Sequence, residues 1–220
     1  MIPPTGAEAR ALDAARQQVR AEAQLVASLE PLIDERLLAI ARRILGRTGK
    51  VIPAGVGTSG EIARRMAHLF SVAGTPSVFL HPTEGLHGGL GAVTSGDTVL
   101  AISKGGQSNE LNEFVRRVRV RGADVIVITA VPDSPLAGLS DEIVEVPAPD
   151  SADPGGVIAM GSTLAVGAWG DALAVILREL RGYEMKEVLF THPGGAVGQR
   201  AAREGAGPAD SPASEGPGGA

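Results

Sequence analysis

Short apolar segments alternate with amphipathic ones from Lys50 onward, and this alternation restricts the fold more than any other feature. The apolar segments predict strands at 51–54, 77–80, 98–102, 124–129 and 142–146. The segments at 61–72 and 109–121 have helical periodicity. Strands that alternate with helices pair in parallel, because each crossover returns the chain to the same end of the sheet. We therefore predict a three-layer α/β sandwich.

Further helices and a polar tail are predicted outside this alternating region. Residues 7–47 are rich in Ala, Arg, Glu, Gln and Leu, which predicts helix with a break near Pro31. A long helix is predicted over 161–181, and its apolar character on most faces indicates burial, for which a subunit interface is one explanation. The predicted division is a helical arm at 1–48, a main domain at 49–203 and a disordered tail at 204–220.

Composition excludes several functional classes. The chain has no cysteine, so it has neither a disulfide framework nor a cysteine nucleophile, and four scattered histidines give no metal-site pattern. A net charge of −5 and 3% aromatic residues argue against nucleic acid as a partner. Met1 and the residues after it lack the pattern of a signal peptide, and the apolar run 157–177 contains polar residues and glycines. We therefore expect no membrane association and a cytoplasmic location.

Two loops rich in Gly and Ser, at 55–60 and 103–108, each follow a predicted strand and open a helix. The unpaired N–H groups at a helix start, the helix dipole and short hydroxyls together bind tetrahedral anions. The second loop leads to Glu110, one turn into its helix. An anion site beside a carboxylate suggests a phosphorylated substrate and proton transfer. From the residues alone, Glu110 could equally be an ordinary first-turn acid favoured by the dipole.

Seven motifs, taken in order, closely resemble the sugar isomerase (SIS) domain of arabinose-5-phosphate isomerases over about residues 30 to 200. They are Gly55–Gly60, Gly74–Pro76, His81–Glu84, His87–Gly91, Asp97–Ser103, Gly170–Ala174 and His192–Ala196. The resemblance implies a five-stranded parallel sheet flanked by helices and a homo-oligomer, either tetramer or dimer. It implies interconversion of an aldose phosphate and a ketose phosphate without metal or organic cofactor. Many members carry C-terminal regulatory domains, and this sequence is expected to be a short, single-domain form.

The resemblance also assigns roles to individual residues. Glu110 matches the family's catalytic base, which moves a proton between C1 and C2 of the sugar. His192 matches an active-site histidine that assists ring opening, often across a subunit boundary, and His87 matches a second pocket histidine. Ser59, Ser103, Ser108 and Thr163 match hydroxyls that hold the phosphate or line the pocket. The full set of candidate substrate- and phosphate-binding residues is Gly57, Thr58, Ser59, Ser103, Lys104, Gly105, Gln107, Ser108, Ser162 and Thr163.

Several positions depart from the family's pattern. Thr58 stands where the family has lysine, and Gln107 and Ser151 stand where it has glutamates. Lys104 adds a cation that the family's loop lacks, and it is either a solvated loop residue or an anion contact. Buried polar groups that lose a partner cost about 1–3 kcal/mol each, so these changes predict an altered specificity.

Three functions remain open on this sequence. The first is an isomerase of a phosphorylated sugar. The second keeps the isomerisation but acts on a sulfonated sugar, since the loop that binds the anion has lost a hydroxyl and gained Lys104. The third is a non-catalytic sensor of sugar phosphates, which the losses at positions 58, 107 and 151 favour. The retention of Glu110 together with His192 opposes the sensor.

Overall fold

The core of the protein is a parallel sheet in a computed structural model that describes residues 5–196 and 198–199. Its strands are β1 (Val51–Gly55), β2 (Thr98–Ile102), β3 (Asp124–Thr129) and β4 (Glu142–Glu145), and they lie in that order, all parallel. The first three are buried along their whole length. Strands covered on both faces read as continuous apolar runs, which is why the sequence identified them.

The strand predicted at 77–80 is not formed, so the sheet has four regular strands and not the expected five. Residues 76–80 lie parallel to β1 at its free edge, but only Ser77 forms a bridge, with Val51. The Val51 N–H donates to the Pro76 carbonyl over 2.9 Å, and the Leu80 N–H to the Pro53 carbonyl over 3.3 Å. A regular ladder would have a further hydrogen bond between these two, donated by the N–H of residue 53, but Pro53 has no N–H. The edge segment therefore follows β1 without completing a ladder.

Seven α-helices are described: α1 (Gly6–Ala27), α2 (Glu35–Leu45), α3 (Thr58–Val72), α4 (Pro82–Leu86), α5 (Asn109–Val120), α6 (Gly161–Arg181) and α7 (Met185–Phe190). The predicted break near Pro31 is confirmed, because a 3-10 turn at Glu30–Leu32 separates α1 from α2. Asp34 then starts α2 by accepting the backbone N–H groups of Arg36 and Leu37.

The helices cover both faces of the sheet, which confirms the three-layer fold. Alternate residues of β2 show the division: Leu100 and Ile102 pack on one face and Val99 and Ala101 on the other. The first face is covered by buried residues of α1, α2, α3 and α6, and the second mainly by α5. The chain thus changes face between β1, which leads into α3, and β2, which leads into α5.

The N-terminal helices pack within the same apolar core as the sheet. Leu25 of α1 and Leu37 of α2 are buried there beside α6. Arg36 of α2 bonds the Glu142 carboxylate at 2.6 Å and the Ile143 carbonyl at 2.6 Å, which places α2 against β4. No helix among the described residues is long and apolar enough to span a bilayer. The predicted tail at 204–220 lies outside the described residues.

Candidate functional site at the carboxyl ends of the strands

A narrow cleft lies beyond the carboxyl ends of the strands, close to where the chain changes face of the sheet. Helices diverge from such a point, and the crevice between them is the usual ligand site of open α/β sheets. The part of the cleft that the centre of a water molecule can occupy has a volume of about 20 Å³. Its polar lining comes from both predicted loops, the end of β3 and the start of α6: Ser59, Lys104, Thr129, Ser162 and Thr163.

The loop after β2 is held in a compact turn by its own polar groups. The buried Ser103 Oγ accepts the Gly106 N–H over 3.1 Å. Gly106 has a φ of 63°, and a Cβ there would lie 2.0 Å from the Ser134 Oγ, so only glycine fits. Asn112 of α5 donates from Nδ2 to the Gly106 carbonyl over 3.4 Å. These contacts fix the loop backbone at Gly105 and Gly106 and thereby the positions of Gln107 and Ser108, which follow them.

Lys104 is held in the cleft by a carboxylate that sequence reasoning missed. Its Nζ lies 2.7 Å from the Asp153 Oδ2 and 3.1 Å from the Gly156 carbonyl. The Asp153 Oδ1 accepts the N–H groups of Met160, over 2.9 Å, and of Ser162, over 3.0 Å. Asp153 therefore links the β2–α5 loop to the start of α6. The Asp-Pro-Gly-Gly sequence at 153–156 indicates a turn, but it does not indicate the lysine with which Asp153 pairs.

The Asp153 carboxylate is buried yet ionised. Burial disfavours its charged form, but hydrogen bonds from Lys104 and Ser162 outweigh that effect, and the pKa of Asp153 is lowered. Its side chain has no exposed surface, whereas that of Lys104 is 31% exposed. The pair is thus a neutralised ion pair in the cleft wall, with its cation on the open side.

The start of α6 contributes two hydroxyls to the cleft. Thr163 donates from Oγ1 to the Ala159 carbonyl over 2.8 Å. Ser162 is 6% exposed, and its Oγ, which lies near Asp153, makes no hydrogen bond of ordinary geometry among the described residues. A buried hydroxyl without a partner is uncommon, and in a cleft wall it points to a ligand.

The loop after β1 forms the opposite wall. Gly57 has a φ of 58° and precedes α3, which begins at the exposed Thr58. Ser59 in the first turn is half-buried and lines the cleft. Thr58 thus stands at a helix start and supplies no cation there.

The three predicted catalytic residues lie outside the lining of this cleft in the described chain. Glu110 is exposed in the first turn of α5, and His87 is exposed at the end of α4. The Nδ1 of His192, just beyond α7, lies 2.7 Å from the Val188 carbonyl oxygen. Their catalytic roles stay predictions. Among the described residues, no group of three or more His, Asp or Glu side chains is placed to hold a metal ion.

Comparison with known proteins places these features in a family. The sequence model described as the SIS domain matches residues 44–176. The arabinose 5-phosphate isomerase KdsD of Salmonella typhi is 37% identical over 187 residues, which are 85% of this chain and 57% of that protein. KdsD of Pseudomonas aeruginosa is 33% identical, over 86% of this chain and 58% of that protein. This chain therefore spans a little over half the length of these curated relatives.

Solved structures agree with this match. A structure from Listeria monocytogenes superposes with a TM-score of 0.80 at 33% identity, covering 87% of this chain and all of that one. An Escherichia coli structure, described as a complex with arabinose 5-phosphate, gives a TM-score of 0.79 at 32% identity, covering 86% of this chain and all of that one.

Proposed function

Because the chain belongs to the SIS domain family, we propose that it is an aldose–ketose isomerase of a sugar phosphate. The observation that carries this proposal is the cleft at the change of sheet face. Two Gly/Ser-rich loops and the start of α6 line it, and Glu110 follows one of those loops. The KdsD relatives, which are named arabinose 5-phosphate isomerases, and the related structure described as an arabinose 5-phosphate complex support this reaction class.

The proposed chemistry needs one base and proton donors at the sugar oxygens. The Glu110 carboxylate removes the C2 proton of the open-chain aldose, and O1 takes up a proton to give an enediol. Return of a proton to C1 and loss of the O2 proton then give the ketose. His192 assists ring opening and His87 supports the transfer at oxygen, since an imidazole ring can both donate and accept a proton.

The proposed substrate is a sugar whose polar groups differ from those of arabinose 5-phosphate. Thr58 removes a cation from one loop, and Gln107 removes a carboxylate from the other. Lys104 adds a cation, but Asp153 neutralises it. Ser151 also stands where the family has a glutamate, so the site loses one cation and two carboxylates, and its pattern of donors and acceptors changes. A phosphate rather than a sulfonate remains the proposed anion, since the neutralised Lys104 adds no free charge.

A homo-oligomer completes the proposal. Leu164 and Val175 on α6 are 46% and 59% exposed, and they lie three turns apart on one side of the helix. Met185 of α7 is 50% exposed and lines the same groove as Val175. Exposed apolar side chains grouped on one side of a helix are typical of protein interfaces. We expect light scattering to give a tetramer or dimer mass at micromolar concentration, and a monomer mass would contradict this part.

Proton NMR in deuterated water tests the reaction directly. The protein is incubated with pentose, hexose and heptose phosphates, and with sulfonated sugars in parallel. We expect interconversion of one phosphate, with solvent deuterium entering at C2. Glu110→Gln should reduce that exchange by at least about 100-fold, as expected for loss of a general base.

A matched variant separates loss of the base from a general disturbance of α5. Glu113→Gln changes a second carboxylate of the same helix, one that pairs with Arg117 over 2.7 Å. It should retain the exchange rate. If every sugar stays inert while several raise the melting temperature, the isomerase proposal is wrong and the sensor replaces it. If only sulfonated sugars react, the anion is assigned wrongly.

A further inference from the structure

The Lys104–Asp153 pair occupies the cleft but has no role in the chemistry above. An ammonium group has three N–H donors. Two of those on Lys104 go to the Asp153 Oδ2 and the Gly156 carbonyl, over 2.7 and 3.1 Å. Lys104 lines the cleft, so the third donor is available to a bound molecule. Both Asp153 oxygens are already engaged, and this fixes the position of the ammonium.

The charge of Lys104 is a poor match for a phosphate. An anion in contact with the Nζ, on the side away from Asp153, lies roughly 5–6 Å from that carboxylate. The repulsion then cancels roughly half of the attraction, since Coulomb energy falls as the inverse of distance. A neutral hydroxyl suffers no such repulsion and still gains a charge-assisted hydrogen bond.

A potential acceptor for the same hydroxyl lines the same cleft. The Ser162 Oγ is buried in the cleft wall and makes no hydrogen bond of ordinary geometry among the described residues. The Ser162 backbone N–H bonds the Asp153 Oδ1 while Lys104 bonds Oδ2, so one carboxylate positions both residues. A sugar hydroxyl can accept from the Lys104 Nζ and donate to the Ser162 Oγ.

We propose that Lys104, positioned by Asp153, recognises one neutral hydroxyl of the sugar together with Ser162, rather than the phosphate. This assignment rests on the proposed function for the class of ligand, a sugar phosphate, but not on catalysis. It makes Lys104 and Ser162 specificity-determining residues and Asp153 a positioning residue. The added lysine therefore accounts for a changed sugar rather than a relocated phosphate site.

Calorimetric titration with non-reacting ligands tests this assignment. The ligands are inorganic phosphate, a pentitol phosphate that has no carbonyl group to isomerise, and its monodeoxy counterparts. In the unaltered protein, one deoxy ligand should bind roughly tenfold or more weakly than the parent. The neutral double variant Lys104→Met/Asp153→Asn should lose that discrimination, and Ser162→Ala should reduce it for the same deoxy ligand.

Inorganic phosphate separates a hydroxyl contact from an anion contact. The double variant should bind it within about twofold of the unaltered protein, whereas Asp153→Asn alone exposes the cation and should bind it roughly three- to tenfold more tightly. A tenfold loss in the double variant would show that Lys104 binds the anion. If the double variant still distinguished the deoxy ligands from the parent, Lys104 would not be recognising a hydroxyl. Either result overturns the proposal.

The Lys50–Asp97 pair is a matched control at the opposite end of the sheet. Its Nζ–Oδ2 distance is 2.9 Å, and Asp97 is fully buried and accepts two backbone N–H groups. Asp97→Asn should leave the phosphate affinity and the discrimination unchanged. All of these measurements are of binding and none is of catalysis. If the protein is inactive but still distinguishes the pentitol phosphate from its deoxy counterparts, only the isomerase proposal is wrong. If it is active but the Lys104 variant keeps that distinction, only this inference is wrong.

Discussion

At the residue scale, the geometry of the site depends on a few residues whose conformation and hydrogen bonds are fixed by their neighbours. Asp153 is fully buried and bonds to Lys104, Met160 and Ser162. Gly106 sits at a positive φ against Ser134. Each ties a segment of the loop or the start of α6 to one geometry, so a small change there alters the cleft directly.

Gly106→Ala should destabilise the protein and distort the loop after β2. The added Cβ meets the Ser134 Oγ, and the positive φ is unfavourable for alanine. Gly182→Ala is the matched control, because Gly182 has a φ of 64° with open space around it at the end of α6. The control should cost about 1 kcal/mol. Gly106→Ala should cost about 1–3 kcal/mol more, measured by urea unfolding, because overpacking is added. Equal costs would contradict the steric argument.

At the element scale, α5 carries both the core and the proposed base. Phe114 is completely buried on its inner side, where its ring approaches Gly85 of α4 so closely that a Cβ there would clash at 2.5 Å. Val120 at the end of the helix is 89% exposed. The inner face holds the helix against the sheet, and the position of Glu110 in its first turn follows from that packing.

Phe114→Ala should reduce the free energy of unfolding by about 3–5 kcal/mol, because it leaves a cavity between α5 and α4. Val120→Ala on the same helix removes exposed surface only and should change it by about 0.5 kcal/mol or less. Thermal and urea unfolding of the two variants provide the comparison. A small effect of Phe114→Ala would mean that the neighbouring side chains collapse into the space.

At the scale of the whole molecule, buried carboxylates brace both ends of the sheet. Asp97 lies at the amino ends of the strands and Asp153 beyond the carboxyl ends. At each site burial opposes the charged form, but hydrogen bonds outweigh it and lower the pKa. A carboxyl group whose pKa is lower in the folded state stabilises the fold above its unfolded pKa.

This stabilisation should disappear on acidification. It is fully present above the unfolded pKa of about 3.9 and is lost as the pH falls through the lower, folded values. Urea unfolding at a series of pH values from 6 downward should show the free energy falling below about pH 4. Asp97→Asn/Asp153→Asn should start from a lower stability and show a shallower fall. A variant with the same slope as the unaltered protein would contradict this assignment.

The sequence by itself determined the layered fold and the composition of the two loops. Apolar runs, helical periodicity and glycine positions act over a few residues, so they identify β1 to β4, α6 and the loops at 55–60 and 103–108 without knowledge of packing. The same local patterns carried the family resemblance. They wrongly predicted a strand at 77–80, because the run is apolar but the neighbouring strand β1 contains Pro53, which has no N–H to donate.

Only the tertiary structure decided which of these groups meet. Lys104 and Asp153 are 49 residues apart, and nothing near either one indicates the other. They pair because β2 and the segment before α6 both end at the same crevice, and a buried charge without a partner there would be energetically costly. Local sequence sets the elements, but the balance of charge in the cleft is a property of their packing.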